Sequence, residues 1–225
     1  HRIEKRPETR GAMIQAMYRS NFVLMGLPIA LNICGRGNVS TTAVLVAVIV
    51  PIYNIIAVII LEYYRGGHAD ISKMFSKIIM NPIILGALAA AVAIVLDIRV
   101  PKSVDNVIYT MSECTTPMAM IMLGASFNIK SINTDRRNLS IVTITKLLIQ
   151  PAIGLSLAVL FGFRGVEFVS LIVMMSAPCA VSSFTMAKSM GSDGDLAGNA
   201  VIFTTGFSIL TIFGWLFLFK NMGIF

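Results

Sequence analysis

The chain has 225 residues, of which 56% are hydrophobic and only 13% are charged, and its mean hydropathy is +0.81. Soluble domains carry about 25% charged residues, so this composition excludes an ordinary soluble domain and indicates a membrane protein. The net charge of +7 does not indicate a nucleic-acid partner, because the basic residues lie mostly between apolar segments and no basic patch alternates with aromatic residues.

Seven apolar segments are long enough to cross a lipid bilayer as helices, which takes about 20 residues each. They are 12–34, 41–63, 81–98, 104–127, 140–162, 166–189 and 195–219. Backbone groups in lipid must form their hydrogen bonds internally, and no strand-like alternation of polar and apolar residues is present. We therefore predict an all-α transmembrane protein.

Lysine and arginine residues in the connecting loops predict the orientation, because they concentrate on the cytoplasmic side. One set of alternate loops contains eleven of them: Arg2, Lys5, Arg6, Arg10, Arg65, Lys73, Lys77, Lys130, Arg136, Arg137 and Lys188. The other set contains five: Arg36, Arg99, Lys102, Arg164 and Lys220. We predict a multi-pass protein of the cell (inner or plasma) membrane, with the beginning of this chain in the cytoplasm and its end outside.

The sequence carries no nucleophile–base pair, no phosphate-binding loop and no metal-ligand spacing. Its three cysteines, Cys34, Cys114 and Cys179, lie in or beside apolar segments and form no CxxC motif. We therefore predict neither an enzyme nor a bound metal or cofactor.

Two predicted spans are interrupted near their centres by polar residues, glycine and proline. The first span contains the stretch Arg19–Pro28, and the sixth contains the stretch Ser176–Phe184. One interpretation is two ordinary kinked helices. The other is a pair of discontinuous helices, one in each of two inverted repeats, as secondary transporters use. In that case the half-helix N-termini meet near the bilayer centre, an arrangement that suits an anion.

The positions of the two breaks predict how the repeats divide the chain. Five spans lie between residues 81 and 219, with the break in the fourth. A first repeat of the same design needs three helices before residue 12, and we expect these to lie upstream. We predict that residues 1–80 hold the last two helices of the first repeat and a cytoplasmic loop. Residues 81–225 then form a complete second repeat.

Six short motifs occur in a fixed order along the chain: Tyr18–Phe22 with Gly26–Pro28, Val50–Asn54, Asn81–Gly86, Thr116–Ser126, Lys146–Pro151 and Ala177–Val181. They resemble motifs of bacterial permeases of the auxin efflux carrier (AEC) family. The resemblance implies a ten-helix parent fold of inverted five-helix repeats, in which the broken helices four and nine cross. It also implies transport of small carboxylates, such as dicarboxylates or auxin-like acids, and a homodimer. The chain departs from the family by lacking the first three helices.

The two broken helices supply the predicted substrate-binding residues. The Asn21 amide can donate to a carboxylate or cap the second half-helix, and the Ser182 and Ser183 hydroxyls can bind substrate or a helix carbonyl. Arg19 can pair with an anionic substrate or with Glu113, form a structural ion pair, or extend towards the cytoplasm. The predicted set is Arg19, Asn21, Gly26, Pro28, Pro178, Ser182 and Ser183.

Three polar residues inside other spans are predicted to take part in ion or proton coupling. A carboxylate at membrane depth, such as Glu113, can carry a coupling proton. Lys146 enters its span about two turns from the cytoplasmic end, where its long side chain can reach the interface, so it ranks below Glu113. Gln150 can contribute to an ion site, although polar residues such as Gln150 and Asn54 most often form helix–helix contacts.

The leading hypothesis is a secondary active transporter of small organic anions that works by alternating access and is coupled to protons or sodium. The first alternative is a sodium-coupled carrier of the related bile-acid-symporter fold. The second is a non-transporting fragment or a membrane sensor that only binds a ligand or a partner.

Overall fold

The computed structural model describes residues 4–35, 39–65, 80, 82–98, 100–126 and 135–225. Nine helices lie in this part of the chain, and the same residues contain no strand, only one isolated antiparallel bridge. The helices are α1 Pro7–Tyr18, α2 Phe22–Cys34, α3 Val39–Arg65, α4 Pro82–Val95, α5 Lys102–Ser126, α6 Arg136–Leu160, α7 Gly165–Ser176, α8 Val181–Ser189 and α9 Gly194–Asn221. The seven predicted spans are mostly helical in their described residues, and the first and sixth are each divided into two helices.

Length and apolar composition make three of these helices long enough to cross a membrane: Val44–Arg65 within α3, all of α6 and all of α9. The outer face of α3 shows why such helices need lipid. Its side chains repeat every three or four residues, and each is at least 40% exposed: Val44, Val48, Ile52, Ile55 and Ile59. A continuous apolar stripe of this kind is stable against acyl chains and not against water. The protein is therefore an all-α membrane protein.

Two π-helical turns mark places where a proline follows inside a helix. They are Phe22–Gly26 in α2 and Thr145–Ile149 in α6. A proline ring clashes with the carbonyl four residues before it and offers no N–H. Those carbonyls belong to Leu24 for Pro28 and to Leu147 for Pro151, each at the centre of its π turn. The wider turn accommodates the ring, so each proline shapes the turn that precedes it.

The Leu147 carbonyl is paired by a side chain from another helix. In an ordinary α-helix it would accept a hydrogen bond from residue 151, which is a proline and has no N–H. The indole Nε1 of Trp215 on α9 donates to this carbonyl instead, at 3.1 Å. Trp215 is the single tryptophan of the chain. It therefore joins α9 to the π turn of α6.

The beginnings of α1, α6 and α9 lie at one end of the helix bundle, which we call the amino-terminal face. Arg6, just before α1, forms an ion pair with Asp135, just before α6. The Thr9 hydroxyl of α1 donates to Asp193, just before α9, at 2.8 Å. These contacts tie three helix beginnings together.

Glu4 adds to the network at this face. Its carboxylate accepts hydrogen bonds from the backbone N–H groups of Lys5 and Arg6 at 2.8 and 2.9 Å, and it also receives the Asn138 amide of α6. The backbone N–H of Arg6, assisted by its guanidinium and by Asn138, lowers the pKa of Glu4 from its ordinary value to about 2. The segment before α1 is thus fastened to α6 by a carboxylate that stays charged.

The opposite end of the bundle holds the beginning of α7 and the residues after α9, where the Gly165 N–H donates to the Ile224 carbonyl at 3.1 Å. This alternation agrees with the two loop sets from which the orientation was predicted. Which face is cytoplasmic stays a prediction, as does the division at residue 80. Six of the basic residues on which the predicted orientation depends lie outside the described residues: Arg2, Arg36, Lys73, Lys77, Arg99 and Lys130. Asn81, the first residue of the third predicted span, also lies outside them.

The centre of the bundle is formed where α1, α8 and α9 pack together. Small side chains with 0% exposure line this contact: Ala12, Ala16, Ala187, Ala197 and Ala200. Small residues let helix backbones approach closely, which is the usual basis of helix association in membranes. Of the remaining helices, α4 packs on α3, and α5 packs on α8 and α9.

Candidate functional site

The two interrupted helices cross at their breaks. Ser20, between α1 and α2, forms an antiparallel bridge with Cys179, between α7 and α8. The Asn21 N–H donates to the Pro178 carbonyl at 2.8 Å, and the Cys179 N–H is satisfied by the Thr204 hydroxyl of α9 at 3.0 Å. The prediction of crossed broken helices is therefore confirmed, and the interpretation as two ordinary kinks is wrong.

A cavity of about 490 Å³ lies beside this crossing. Its wall is built from the α1–α2 break and from residues of α2, α3, α5 and α8. Most of the wall is apolar. The polar side chains that line it are Arg19, Ser20, Asn21, Tyr53, Asn54, Ser182 and Thr185.

Two helix N-termini form part of the cavity wall. Phe22 begins α2 and Val181 begins α8, and both line the cavity. The first N–H groups of a helix have no acceptor within the helix and carry the positive end of its dipole. Neither helix is capped by a side chain: Asn21 makes no capping bond, and Ala180 has no polar side chain. The capping role considered for Asn21 is therefore not observed, and both N-termini favour a negative charge in the cavity.

Two buried cations lie at the crossing. The Arg19 guanidinium, in the cavity wall, donates to the Asn54 side-chain oxygen and contacts the Met186 sulfur. Lys146, at 0% exposure, donates to the Ser20 hydroxyl oxygen and, at 2.9 Å, to the Gln150 side-chain oxygen. Within the described residues, no carboxylate lies within 4 Å of either cation. Burying an unpaired charge is costly, so this arrangement favours an external anion.

Comparison with known proteins decides the family. The model of the family described as "Membrane transport protein" matches residues 2–216, which is nearly the whole chain. The chain belongs to the membrane transport protein family. The resemblance to AEC permeases that the six motifs predicted is thereby confirmed.

Three relatives of this family member were found among curated proteins. An uncharacterized transporter of Methanocaldococcus jannaschii is 24% identical over 97% of this chain and 72% of its own length. An uncharacterized transporter of Methanothermobacter thermautotrophicus is 25% identical over 47% of the chain and 35% of its own length. A Rhizobium meliloti protein whose name proposes malonate transport is 20% identical over 64% of the chain and 46% of its own length. The chain thus spans less than half the length of the latter two.

The predicted substrate-binding residues of this membrane transport protein fall into three groups. Arg19, Asn21 and Ser182 line the cavity. Pro178 and Ser183 are buried at the crossing, behind the wall, where the Pro178 carbonyl joins the two breaks. The structure thus brings five of the seven predicted residues to the crossing.

Gly26 and Pro28, the other two predicted residues, do not line the cavity. A Cβ atom at Gly26 would lie 2.4 Å from the Phe22 ring and 3.3 Å from the Val173 carbonyl, so Gly26 lets α2 pack against α7. Pro28 is exposed and acts on the preceding π turn. Both residues shape the broken helix that carries Asn21.

The three predicted coupling residues lie in two different places. Glu113 lies on an exposed face of α5, hydrogen-bonded to Tyr109, and neither lines the cavity nor pairs with Arg19. Lys146 and Gln150 lie together at the crossing. The Lys146 side chain does not extend to the membrane interface as expected, because Ser20 and Gln150 offer it acceptors inside the bundle.

Several cavity residues were missed by sequence reasoning. Ser20 lies between two predicted residues, so its position in the break was an available signal. Asn54 was interpreted as a helix–helix contact, but it also holds Arg19 and lines the cavity. The apolar wall residues of α5, such as Met118 and Met122, have no signal in the sequence, because they resemble every other apolar residue of a span.

Proposed function

We propose that this protein is a secondary active transporter of small organic anions and that the cavity at the helix crossing is its substrate site. One observation carries the proposal: two uncapped helix N-termini and the buried Arg19 line one cavity, and the buried Lys146 lies behind its wall against Ser20. Within the described residues, neither cation has a carboxylate partner. In an environment of low dielectric, each of these groups stabilises a negative charge.

The size and chemistry of the cavity support a small carboxylate. A volume of about 490 Å³ lies in the range of ordinary small-molecule sites. Arg19 offers a planar guanidinium, the group best matched to a carboxylate, and Asn21 and Ser182 offer further donors. The name of the Rhizobium meliloti relative proposes malonate as its substrate, which belongs to the same chemical class.

Alternating access is the proposed transport mechanism. The two broken helices meet through only a few bonds at their breaks, so movement of one helix group against another can expose the cavity to either side in turn. We place the protein in the cell (inner or plasma) membrane with its amino-terminal face in the cytoplasm. We also propose coupling to a proton or sodium gradient, with Lys146 and Gln150 as the coupling candidates at the crossing, and a homodimer.

Uptake by reconstituted vesicles tests the substrate site. The full-length protein is placed in liposomes, and uptake of radiolabelled C3–C5 dicarboxylates is measured under a proton or a sodium gradient. We expect Asn21→Ala to lower uptake about tenfold, because the lost donor faces the bound anion. Pro178→Ala should also lower uptake, since it loosens the break that presents the α8 N-terminus.

The matched control is Asn32→Ala, which removes an exposed asparagine from the same helix α2 and should leave uptake unchanged. Normal uptake by both Asn21→Ala and Pro178→Ala would contradict the assignment of this cavity. Dependence of uptake on sodium alone would favour the sodium-coupled alternative.

A further inference from the structure

Lys146 occupies a position that its membrane depth alone does not explain. Its ammonium group is fully buried behind the cavity wall, on the π turn that Trp215 fixes from α9. It does not line the cavity itself. It reaches the cavity through one atom, the Ser20 hydroxyl oxygen, to which it donates.

This contact determines what Ser20 can do in the cavity. A serine hydroxyl can donate one hydrogen bond and accept others. Because an ammonium group only donates, the Ser20 oxygen acts as the acceptor, and the hydroxyl hydrogen is left to point elsewhere. Ser20 lines the cavity, so a ligand there can receive that hydrogen if the hydroxyl turns towards it. Polarisation by the adjacent ammonium also makes the hydroxyl a stronger donor.

The charges at the crossing set a second condition. In their protonated forms, Arg19 in the wall and Lys146 behind Ser20 carry two positive charges, and within the described residues neither has a carboxylate within 4 Å. A ligand with one negative charge compensates only one of them. A ligand with two negative charges compensates both, and the benefit is large because buried charges are poorly screened.

We propose that Lys146 is a positioning residue that selects the charge of the substrate: through Ser20 it makes the cavity prefer an organic dianion over a monoanion of the same size. This inference rests on the proposed function, since it concerns the selectivity of the same cavity. Arg19 receives one carboxylate, and the Ser20 hydroxyl, backed by Lys146, receives the other.

Gln150 provides a means of cancelling the charge without removing the lysine. Its side-chain oxygen lies 2.9 Å from the Lys146 ammonium. Gln150→Glu places a carboxylate there at almost unchanged volume, so it neutralises the pair in place. Lys146→Met removes the charge directly, Lys146→Arg keeps it, and Ser20→Ala keeps it but removes the hydroxyl.

The test compares dianions with monoanions of equal length at pH 7. The full-length protein is placed in liposomes, and uptake of the labelled dicarboxylate that it transports fastest is measured. Unlabelled competitors are added one at a time: malonate, succinate and glutarate as dianions, and the monoamide of each as the monoanion. We expect the wild-type protein and Lys146→Arg to bind the dianion about tenfold or more tightly than its monoamide. Lys146→Met and Gln150→Glu should lose this preference, so that the dianion and its monoamide compete about equally well. Ser20→Ala should weaken dianion binding and reduce the preference, because it removes the hydroxyl through which Lys146 acts.

Controls separate a change of selectivity from misfolding. Lys220→Met removes an exposed lysine from the end of α9 and should match the wild-type protein. The emission that Trp215→Phe removes from the full-length protein belongs to Trp215, and it reports whether the π turn beside Lys146 is intact in each variant.

The outcomes distinguish this inference from the proposed function. If the wild-type protein takes up no anion, both fail. If it takes up dicarboxylates but Lys146→Met and Gln150→Glu keep the full dianion preference, the charge-selecting role is wrong and the transport function stands. Loss of gradient-driven accumulation with an unchanged preference would make Lys146 a coupling residue only and would also overturn the inference.

Discussion

Trp215 illustrates how single side chains stabilise the irregular parts of this protein. Its indole donates to the carbonyl of Leu147, which cannot receive the usual α-helical hydrogen bond from residue 151 because that residue is a proline. The adjacent residue is Lys146, whose ammonium reaches the crossing. A proline, a widened turn and one long-range hydrogen bond thus determine where a buried charge lies.

The Trp215 hydrogen bond can be removed without creating a large cavity. We expect Trp215→Phe to lower the free energy of unfolding by about 1–2 kcal/mol, because a partly buried carbonyl is left unsatisfied. Circular dichroism of the purified protein during denaturant titration measures the change. The control Phe217→Leu alters an exposed apolar residue two positions along α9 and should stay within about 0.5 kcal/mol of the wild-type protein. An unchanged stability of Trp215→Phe would show that water or another donor satisfies the carbonyl.

At the scale of the elements, the short helix α2 depends on close packing. It follows the break at Asn21, begins with a π turn, and packs against α7 at Val173. Gly26 makes this approach possible, since a Cβ atom there would collide with the buried Phe22 ring. The ring has 1% exposure and cannot easily move aside.

Gly26→Ala should therefore be destabilising although alanine is the better helix former. We expect a loss of about 1–3 kcal/mol from overpacking, together with reduced anion uptake, because α2 presents its N-terminus to the cavity. Gly206→Ala is the matched control: it lies in helix α9, and nothing lies within 4 Å of its added Cβ. It should be neutral or stabilising by up to about 1 kcal/mol. Equal effects of the two substitutions would contradict the packing role of Gly26.

The sequence predicted the elements better than the contacts between them. Apolar length located seven helical segments, and three helices in the described residues are long and apolar enough to cross a membrane. Proline, glycine and polar residues located the two breaks. The rotation of each helix about its axis was not available from the same signals. Glu113 has the depth expected of a coupling residue, but α5 packs on α8 and α9 in a way that turns this side chain away from the cavity.

At the scale of the whole molecule, the arrangement of the two faces is open to a direct test. Glu8 lies exposed at the amino-terminal face, and Arg164 lies exposed at the opposite end, between α6 and α7. In a background in which the native cysteines, among them Cys34, Cys114 and Cys179, are replaced, we expect Glu8→Cys to react with an impermeant maleimide only from the cytoplasm. Arg164→Cys should react only from outside.

Labelling of intact and of permeabilised cells provides the measurement. The expectation follows from the lysine and arginine imbalance between the two sets of loops. The reversed pattern would place the amino-terminal face outside, and labelling of both positions from the same side would contradict the helix arrangement itself.

Lys146 shows why the details of the site could not be predicted. A lysine two turns inside a span can extend to the membrane interface or turn inward, because its long stem permits both. The choice depends on whether acceptors lie within reach in the interior. Here Ser20 comes from a helix break 126 residues earlier in the chain, a relation that no local pattern contains.

The class of the protein, its apolar helical segments, its two broken helices and its family could be predicted from the sequence alone, because hydrophobic length, helix breakers and motif order are local properties. The contacts between side chains of different helices became visible only in the folded protein. Folding brings Asn21 to Pro178, Lys146 to Ser20 and Arg19 to Asn54. The physical reason is that the crossing joins segments far apart in the chain, so its charges and hydrogen bonds are set by helix packing and not by any one stretch of sequence.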